Sequence, residues 1–175
     1  FMACDPTRSR GRQCKSFVGG NSEVWLYKYN GSDAWGAVTA GEVSSLNAAV
    51  TAAYKYVLDG DGNTFEEVTV GQRNEGSRIT TQTLTFFLSG LSALDAAEFN
   101  LIAASYSQIV VKDRNGKYRA VAIDDGADFS ITGTTGGAKL DASGYTVVAT
   151  STTAAEAPYL DATAVTALLA IEVAA

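Results

Sequence analysis

Short runs of β-branched and aromatic residues, each closed by a cluster of turn residues, recur along most of this chain. The run at 24–29 ends at the polar cluster 30–33, and the run at 54–58 ends at the glycine-rich cluster 59–63. Runs of this length, bounded by Gly, Asn, Asp and Ser, are typical of β-strands. The chain is therefore predicted to be mainly β, a β-sandwich or barrel-like domain.

Two further runs extend this pattern. The run at 64–70 follows the turn cluster directly, so we expect it to form a hairpin with 54–58, where Tyr54 and Tyr56 share one face. The run at 80–88 alternates threonine or glutamine with aliphatic or aromatic residues, which predicts another strand.

A second hairpin is predicted around Asn115-Gly116, which lies between the runs 108–112 and 117–123. Both turn residues tolerate the positive φ that a type I′ turn requires. Later strands are predicted at 129–131 and 145–150.

One α-helix is predicted at about 92–105. Ser92 and Asp95 form an S-x-x-D variant of the capping box, which satisfies backbone N–H groups at a helix start. Apolar residues then recur at helical spacing, namely Leu94, Ala97, Leu101 and Ala104, with Ile102 beside them.

At 175 residues and 18.3 kDa, the chain is sized for one domain with arms. We divide it into an N-terminal arm at 1–21, a β-rich domain at 22–150 and an Ala/Thr-rich C-terminal arm at 151–175. In the last segment Asp161 is placed to cap a helix, while the Thr and Val content also fits a strand. Such an apolar terminus packs either on its own core or on a neighbour.

Composition argues against several classes of function. The chain has no histidine, which removes Ser-His-Asp and Cys-His catalysis and His-containing metal sites. A formal charge of −6 and a pI near 4.6 disfavour tight binding of nucleic acid. No apolar run approaches the length of a membrane span. Nothing at the start resembles a signal peptide, so we expect folding in a cytoplasm.

The two cysteines, Cys4 and Cys14, fit no common zinc spacing. We expect reduced, unreactive thiols, with a disulfide left open should the protein end outside a cell.

The acidic turn 59–63 imitates the start of a calcium loop, because Asp59, Asp61 and Asn63 alternate. Thr64 stands where glycine is needed and Val70 where a bidentate glutamate is needed, so a plain turn is favoured. We expect no metal or other cofactor.

No catalytic template fits the chain. The acid pairs Glu66-Glu67 and Asp124-Asp125 are adjacent, and adjacent strand residues point to opposite faces. We therefore expect no enzyme, with a hydrolase using two distant carboxylates as the remote alternative.

Strand aromatics leave a binding alternative open. A carbohydrate-binding sandwich would stack its ligand on exposed aromatics, and Trp25 and Trp35 are the candidates. A ligand-stacking face could also be formed by Trp25, Tyr27, Tyr29, Tyr54 and Tyr56. Aromatics on strands more often pack in a core.

Several segments resemble virion structural proteins of tailed bacteriophages. They are Cys14-Lys15-Ser16-Phe17-Val18-Gly19-Gly20 with the strand after it, Tyr54-Lys55-Tyr56-Val57-Leu58, the threonine-rich strand 80–88, the helix from Leu94 and Asp141-Ala142-Ser143-Gly144-Tyr145-Thr146. The likeness is spread over about 14–158. It implies a tail-tube type of protein, a β-sandwich with one flanking helix that assembles into stacked, hexameric rings.

In proteins of that type, a long β-hairpin from each subunit builds an inner barrel around the channel. The resemblance places this hairpin at 54–58 with 64–70, or at the neighbouring strand 79–88. Its expected partners are copies of itself, other tail proteins at the tube ends, and phage DNA as non-specific passing cargo.

A negatively charged channel would not trap that DNA. The candidate channel-facing acids are Asp59, Asp61, Glu66, Glu67 and Glu75. A terminator, head-side connector or baseplate ring remains open as the role.

Overall fold

The computed structural model describes residues 6–58 and 60–174, and it confirms a mainly β, sandwich-like fold of two sheets and two helices. The strands are β1 (Asn21–Tyr27), β2 (Glu42–Val43), β3 (Ala53–Val57), β4 (Thr64–Gln72), β5 (Ser77–Ser89), β6 (Gln108–Asp113), β7 (Tyr118–Val121), β8 (Asp128–Thr134), β9 (Gly144–Thr153), β10 (Tyr159–Leu160) and β11 (Glu172–Val173). The helices are α1 (Ala93–Ala104) and α2 (Ala162–Ala170).

The large sheet has seven strands in the order β11-β3-β1-β6-β7-β10-β2. The small sheet has four strands in the order β4-β5-β9-β8, and every pairing in it is antiparallel. Its longest hairpin is β4–β5, whose register runs from Thr64↔Thr85 to Gln72↔Ser77.

The predicted hairpin between 54–58 and 64–70 is wrong. β3 pairs with β1 in the large sheet, while β4 pairs with β5 in the small one, so the turn between them crosses from sheet to sheet. Asn63 fixes this crossing, because its buried side chain donates to the Gly60 carbonyl and accepts from the Phe87 amide. Asn63 therefore serves the fold at the position where a calcium loop would use it as a ligand.

Two apolar cores lie on opposite faces of the large sheet. The first fills the space between the sheets, with Val24, Leu84 and Phe86 among its members. The second contains Trp25 and Leu168, and α2 covers it. Because side chains alternate along β1, neighbouring residues of this strand serve different cores.

The C-terminal segment contains both a helix and a strand, and over 151–174 it packs on its own domain. Asp161 accepts the Ala164 N–H at 2.9 Å and caps α2, which buries Leu168. β11 then pairs with β3, and the Glu172 carboxylate accepts the Trp25 indole N–H at 2.7 Å. The description of this segment as an extended arm is thus corrected. Its apolar residues cover the second core instead of reaching outward.

The predicted helix is confirmed as α1. The face that it buries differs from the face that the spacing of its apolar residues indicates. Ser92 accepts the Asp95 N–H at 3.0 Å, as a cap should, and its hydroxyl donates to the Asp95 carboxylate. The buried residues are Phe99 and Ile102, whereas Leu101 is 67% exposed. The Leu/Ala face points outward, because the Phe99 ring packs against Tyr56 and Tyr145 and so fixes the orientation of the helix.

The β6–β7 hairpin is confirmed, with a different turn. Gly116 alone of the Asn-Gly pair has a positive φ, of 79°, so the turn is not type I′. Asp113 organises a longer loop, since its carboxylate accepts the N–H groups of Asn115 and Lys117, both at 2.8 Å. A side-chain acceptor at the end of β6 overrides the local Asn-Gly preference.

Replacing Phe99 with alanine should destabilise the fold by about 3 kcal/mol, because its ring lies 4.6 Å from that of Tyr145 and fills the contact under α1. The matched Leu101→Ala change should cost less than about 0.5 kcal/mol, since that side chain is exposed. Urea unfolding of both variants checks this, and equal losses would contradict the orientation of α1.

Candidate assembly surface

The small sheet leaves its outer face open. Alternation along the strands directs Thr83 and Thr85 of β5 outward, while Leu84 and Phe86 point into the first core. The other outward positions are Thr64, Glu66, Val68 and Val70 on β4, Ile79, Thr81 and Phe87 on β5, Thr146, Val148, Thr150 and Thr152 on β9, and Asp128, Ser130, Thr132 and Thr134 on β8. This face is rich in threonine and valine, contains two acids, and has no lysine or arginine.

Both edges of the small sheet are open within 6–58 and 60–174. β4 has β5 as its one neighbouring strand, and β8 has β9. Neither edge strand contains proline or lysine; β4 carries the acids Glu66 and Glu67, and β8 carries Asp128. Two strands of nine and seven residues thus present backbone N–H and C=O groups outward.

The predicted channel acids lie in different places. Glu66 is exposed on the outer face of the small sheet, and Glu75 is exposed in the β4–β5 turn. The Asp61 side chain is fully exposed and lies 3.4 Å from Arg114 Nη1. Asp59 is outside the described residues. Asp61 thus lies in the turn before β4, and Glu75 in the turn after it.

Glu67 faces the interior, which corrects its prediction as a channel-facing acid. Its side chain is 8% exposed, and one carboxylate oxygen accepts from the Arg119 guanidinium. The other oxygen accepts the Ala157 N–H at 2.6 Å and Gln82 Nε2 at 3.1 Å. Buried charges persist in proteins when they are paired and hydrogen-bonded in this way.

These contacts join the two sheets. Glu67 and Gln82 belong to the small sheet and Arg119 to β7 of the large one. The Arg119 guanidinium also lies over the rings of Phe65 and Tyr159, at 5.2 and 4.8 Å from their centroids. We call Glu67, Gln82 and Arg119 the inter-sheet network. Sequence reasoning missed it, because the partners are far apart in the chain.

Both tryptophans are buried, so neither is displayed to a ligand. Trp25 is fully inaccessible, and Trp35 donates its indole N–H to the Tyr27 hydroxyl at 2.8 Å. Burial raises the pKa of Tyr27, partly opposed by this hydrogen bond, so its phenol is neutral. The carbohydrate-binding hypothesis that relies on Trp25 and Trp35 is wrong on this point.

The tyrosines of the predicted stacking set divide between the two faces of the large sheet. Tyr27 belongs to the second core, whereas Tyr54 and Tyr56 face the opposite side, in register with Leu26 and Val24. There they line a groove of about 420 Å³ beside α1. We call it the tyrosine groove, and its principal lining residues are Tyr29, Tyr54, Tyr56, Leu101, Ile102 and Tyr106.

Two carboxylates of α1 act on Tyr56 in the tyrosine groove. The pKa of Tyr56 is raised to about 12, chiefly by burial and then by the charges of Glu98 and Asp95. Lys28 and Glu98 both line the groove. The lining thus carries one charge of each sign.

Residues 6–19 contain no helix or strand and are exposed. Asn115 clamps the end of this segment, because its side chain accepts the Val18 N–H and donates to the Val18 carbonyl, both at 2.9 Å. Cys14 is exposed with a free thiol, while Cys4 is outside the described residues. We call residues 6–17 the basic segment, for its cations Arg8, Arg10, Arg12 and Lys15.

The comparisons leave function to be argued from geometry. No family model, curated protein or solved structure matches this chain. Among the described residues, no group of three or more acids and cysteines is placed to hold a metal ion. No described helix is long and apolar enough to cross a membrane.

Removing the guanidinium with Arg119→Ala should lower the free energy of unfolding by about 2 kcal/mol or more, because Glu67 keeps a largely buried charge without its counter-ion. Glu66→Gln on the exposed side of the same strand is the control and should change it by less than about 0.5 kcal/mol. Equal effects in denaturant unfolding would place Glu67 on the surface.

Proposed function

We propose that this chain is a structural subunit of a bacteriophage tail, which assembles with copies of itself into stacked rings that form the tube for DNA. Its location would be the virion tail, after assembly in the host cytoplasm. The support is the resemblance over 14–158 together with the open edges of the small sheet.

The open edges carry this proposal, since the two are complementary. β4 and β8 lie at opposite sides of one antiparallel sheet with an even number of strands. β8 of one copy therefore meets β4 of the next in antiparallel orientation, and the ladder continues without a break. A head-to-tail contact of this kind closes into a ring when the rotation allows, and closure removes every edge.

The β4–β5 hairpin suits the role of the long hairpin with which each tube subunit builds the inner barrel. It is the longest hairpin described, and its outward side chains Val68, Val70 and Ile79 are about half exposed. The predicted pair of 54–58 with 64–70 cannot fill this role, because β3 belongs to the large sheet. The neighbouring strand 79–88, within β5, is the partner that the geometry favours.

Ring closure would turn the outer face of the small sheet toward the channel, since its inner face carries the first core. Glu66 and Asp128 would then repeat around the wall, with hydroxyl and methyl groups between them. A wall without lysine or arginine gives DNA phosphates no counter-charge, so DNA would pass without being held. Asp61 and Glu75 remain candidates at the ends of the barrel.

The same edges fit a terminator, connector or baseplate ring. A tube differs from these in stacking ring upon ring, so the length of the assembly distinguishes the roles.

Lysines on the edge should abolish assembly without unfolding the subunit. The double variant Val68→Lys, Val70→Lys places two lysines on the edge strand β4, the residue type with which natural sheets keep an edge strand from pairing with another chain. Negative-stain electron microscopy and light scattering should show annular or tubular particles for the unaltered chain and monomers for the variant. Leu140→Lys, at a fully exposed loop position, is the control and should assemble normally. An unaltered chain that stays monomeric at high concentration would overturn the proposal.

A further inference from the structure

We propose that neighbouring copies join β4 to β8 with a stagger of four residues, so that Val68 of one copy lies opposite Ser130 of the next. This inference rests on the self-assembly proposed above. It fixes the register of the contact, which open edges alone leave undetermined.

One row of residues crosses the whole small sheet at right angles to its strands. The row runs from Glu66 on β4 through Thr83 and Thr150 to Asp128 on β8. From this row β4 continues in one direction to its end at 72, whereas the antiparallel arrangement takes β8 in the opposite direction to its end at 134. The two open edges are therefore offset along the strand direction.

Copies placed level with each other would make a poor contact. Asp128 would lie directly opposite Glu66 of the next copy, and like charges directly opposite each other destabilise a sheet. β8 would pair with 64–66 of β4, while its remaining residues would lie beside the turn at 60–63. A stagger between copies removes both defects.

The hydrogen-bonding groups at the two edges restrict this stagger to an even number of residues. Phe87 donates its N–H toward β4, to Asn63, and Gly90 donates toward β9, to Ser143. With the antiparallel register, these directions leave the inward-facing residues of β4 and β8 with their N–H and C=O groups at the open edges. Inward-facing residues must therefore lie opposite one another across the contact.

A stagger of four residues pairs all of β8 with 64–70 of β4. Three hydrogen-bonded pairs then supply about six backbone hydrogen bonds. These pairs are Phe65↔Gly133, Glu67↔Ile131 and Thr69↔Phe129. On the outer face, Asp128 lies opposite Val70 and Glu66 opposite Thr132, so the acids no longer meet.

Strand tilt favours four residues over two or six. Four strands spaced about 4.8 Å apart span about 19 Å per copy, and four residues rise about 13 Å along a strand. The ratio gives a tilt of about 35°, compared with about 19° for two residues and about 46° for six, whereas closed barrels have tilts of about 35–45°. A stagger of four also places Phe65 opposite Gly133, where an aromatic ring covers a strand glycine. Because the ratio is taken per copy, this register holds for any ring size.

The direction of the stagger decides which face lines the channel. On an upward strand of L-residues, a residue whose side chain faces the viewer points its N–H to the right, so the bond from Phe87 to Asn63 puts β4 to the right of β5 on the outer face. Strands of a twisted barrel wind as right-handed helices, and a path across them toward the right climbs when it is seen from the channel. β4 thus meets the next β8 beyond Asp128, as full pairing requires. With the first core toward the channel the path would descend, and β8 would lie beside the turn at 60–63 instead of β4.

Disulfide trapping reads this register. Val68→Cys with Ser130→Cys, in a background of Cys4→Ser and Cys14→Ser, reports a stagger of four. Outward positions form the non-hydrogen-bonded pairs, whose Cα atoms lie about 4.5 Å apart, within the range of a disulfide. Within one copy β4 and β8 are three strand spacings apart, about 14 Å, so every such disulfide joins two copies.

Matched pairs in the same background report the other registers. Val68→Cys with Asp128→Cys reports a stagger of two, Val68→Cys with Thr132→Cys a stagger of six, and Thr64→Cys with Ser130→Cys a level contact. All five positions are exposed, so the substitutions should leave the fold intact.

After oxidation of assembled particles with copper phenanthroline, the pair at 68 and 130 should give a ladder of covalent dimers and higher species at least about tenfold more abundant than any other pair. A ladder that is strongest at another pair would overturn the register, as would annular particles with no ladder at any pair. Either result would leave the proposed ring-forming function in place. Absence of annular particles from the unaltered chain would remove both proposals.

Discussion

The outer strands of the small sheet, β4 and β8, each have a neighbouring strand on one side alone in the described chain. The proposed assembly depends on these two open edges. An unpaired edge is a template for another strand, and natural sheets usually blunt it with charge, proline or a covering element. β4 and β8 have no proline, and their charged residues are the three acids Glu66, Glu67 and Asp128. The proposed pairing between copies would satisfy these groups without a change in the subunit.

The two helices, β11 and the inter-sheet network close the rest of the subunit's core. α2 and β11 cover the second core with the C-terminal segment, and α1 caps one end of the first core through Phe99. The inter-sheet network ties β4 to β7 through a largely buried ion pair, which holds the edge strand in place. A fixed edge loses less conformational freedom on pairing than a loose one would. The rigid parts of the subunit therefore favour association at its edges.

Local patterns predicted much of the fold, and long-range contacts account for the errors. β1, β3 to β9 and α1 followed from alternation and from the Ser92 cap, which act over a few residues, whereas the two-residue strands β2, β10 and β11 did not. The partner of β4 did not follow, because Asn63 directs the chain into the other sheet through contacts with β5. Glu66 and Glu67 look alike in sequence, and only the position of Arg119 decides which is buried. The tyrosine groove was not predicted, because the helical spacing of Leu101 is that of a buried residue, whereas its side chain is exposed.

Amide hydrogen exchange, measured with mass spectrometry on dissociated subunits and on assembled particles, tests the central claim directly. The account predicts that amides of β4 and β8 exchange quickly in the subunit and become protected together on assembly, while β5 and β9 are protected in both states. Particles in which β4 and β8 exchange as fast as in the free subunit would contradict it, since their edges would then take no part in holding copies together.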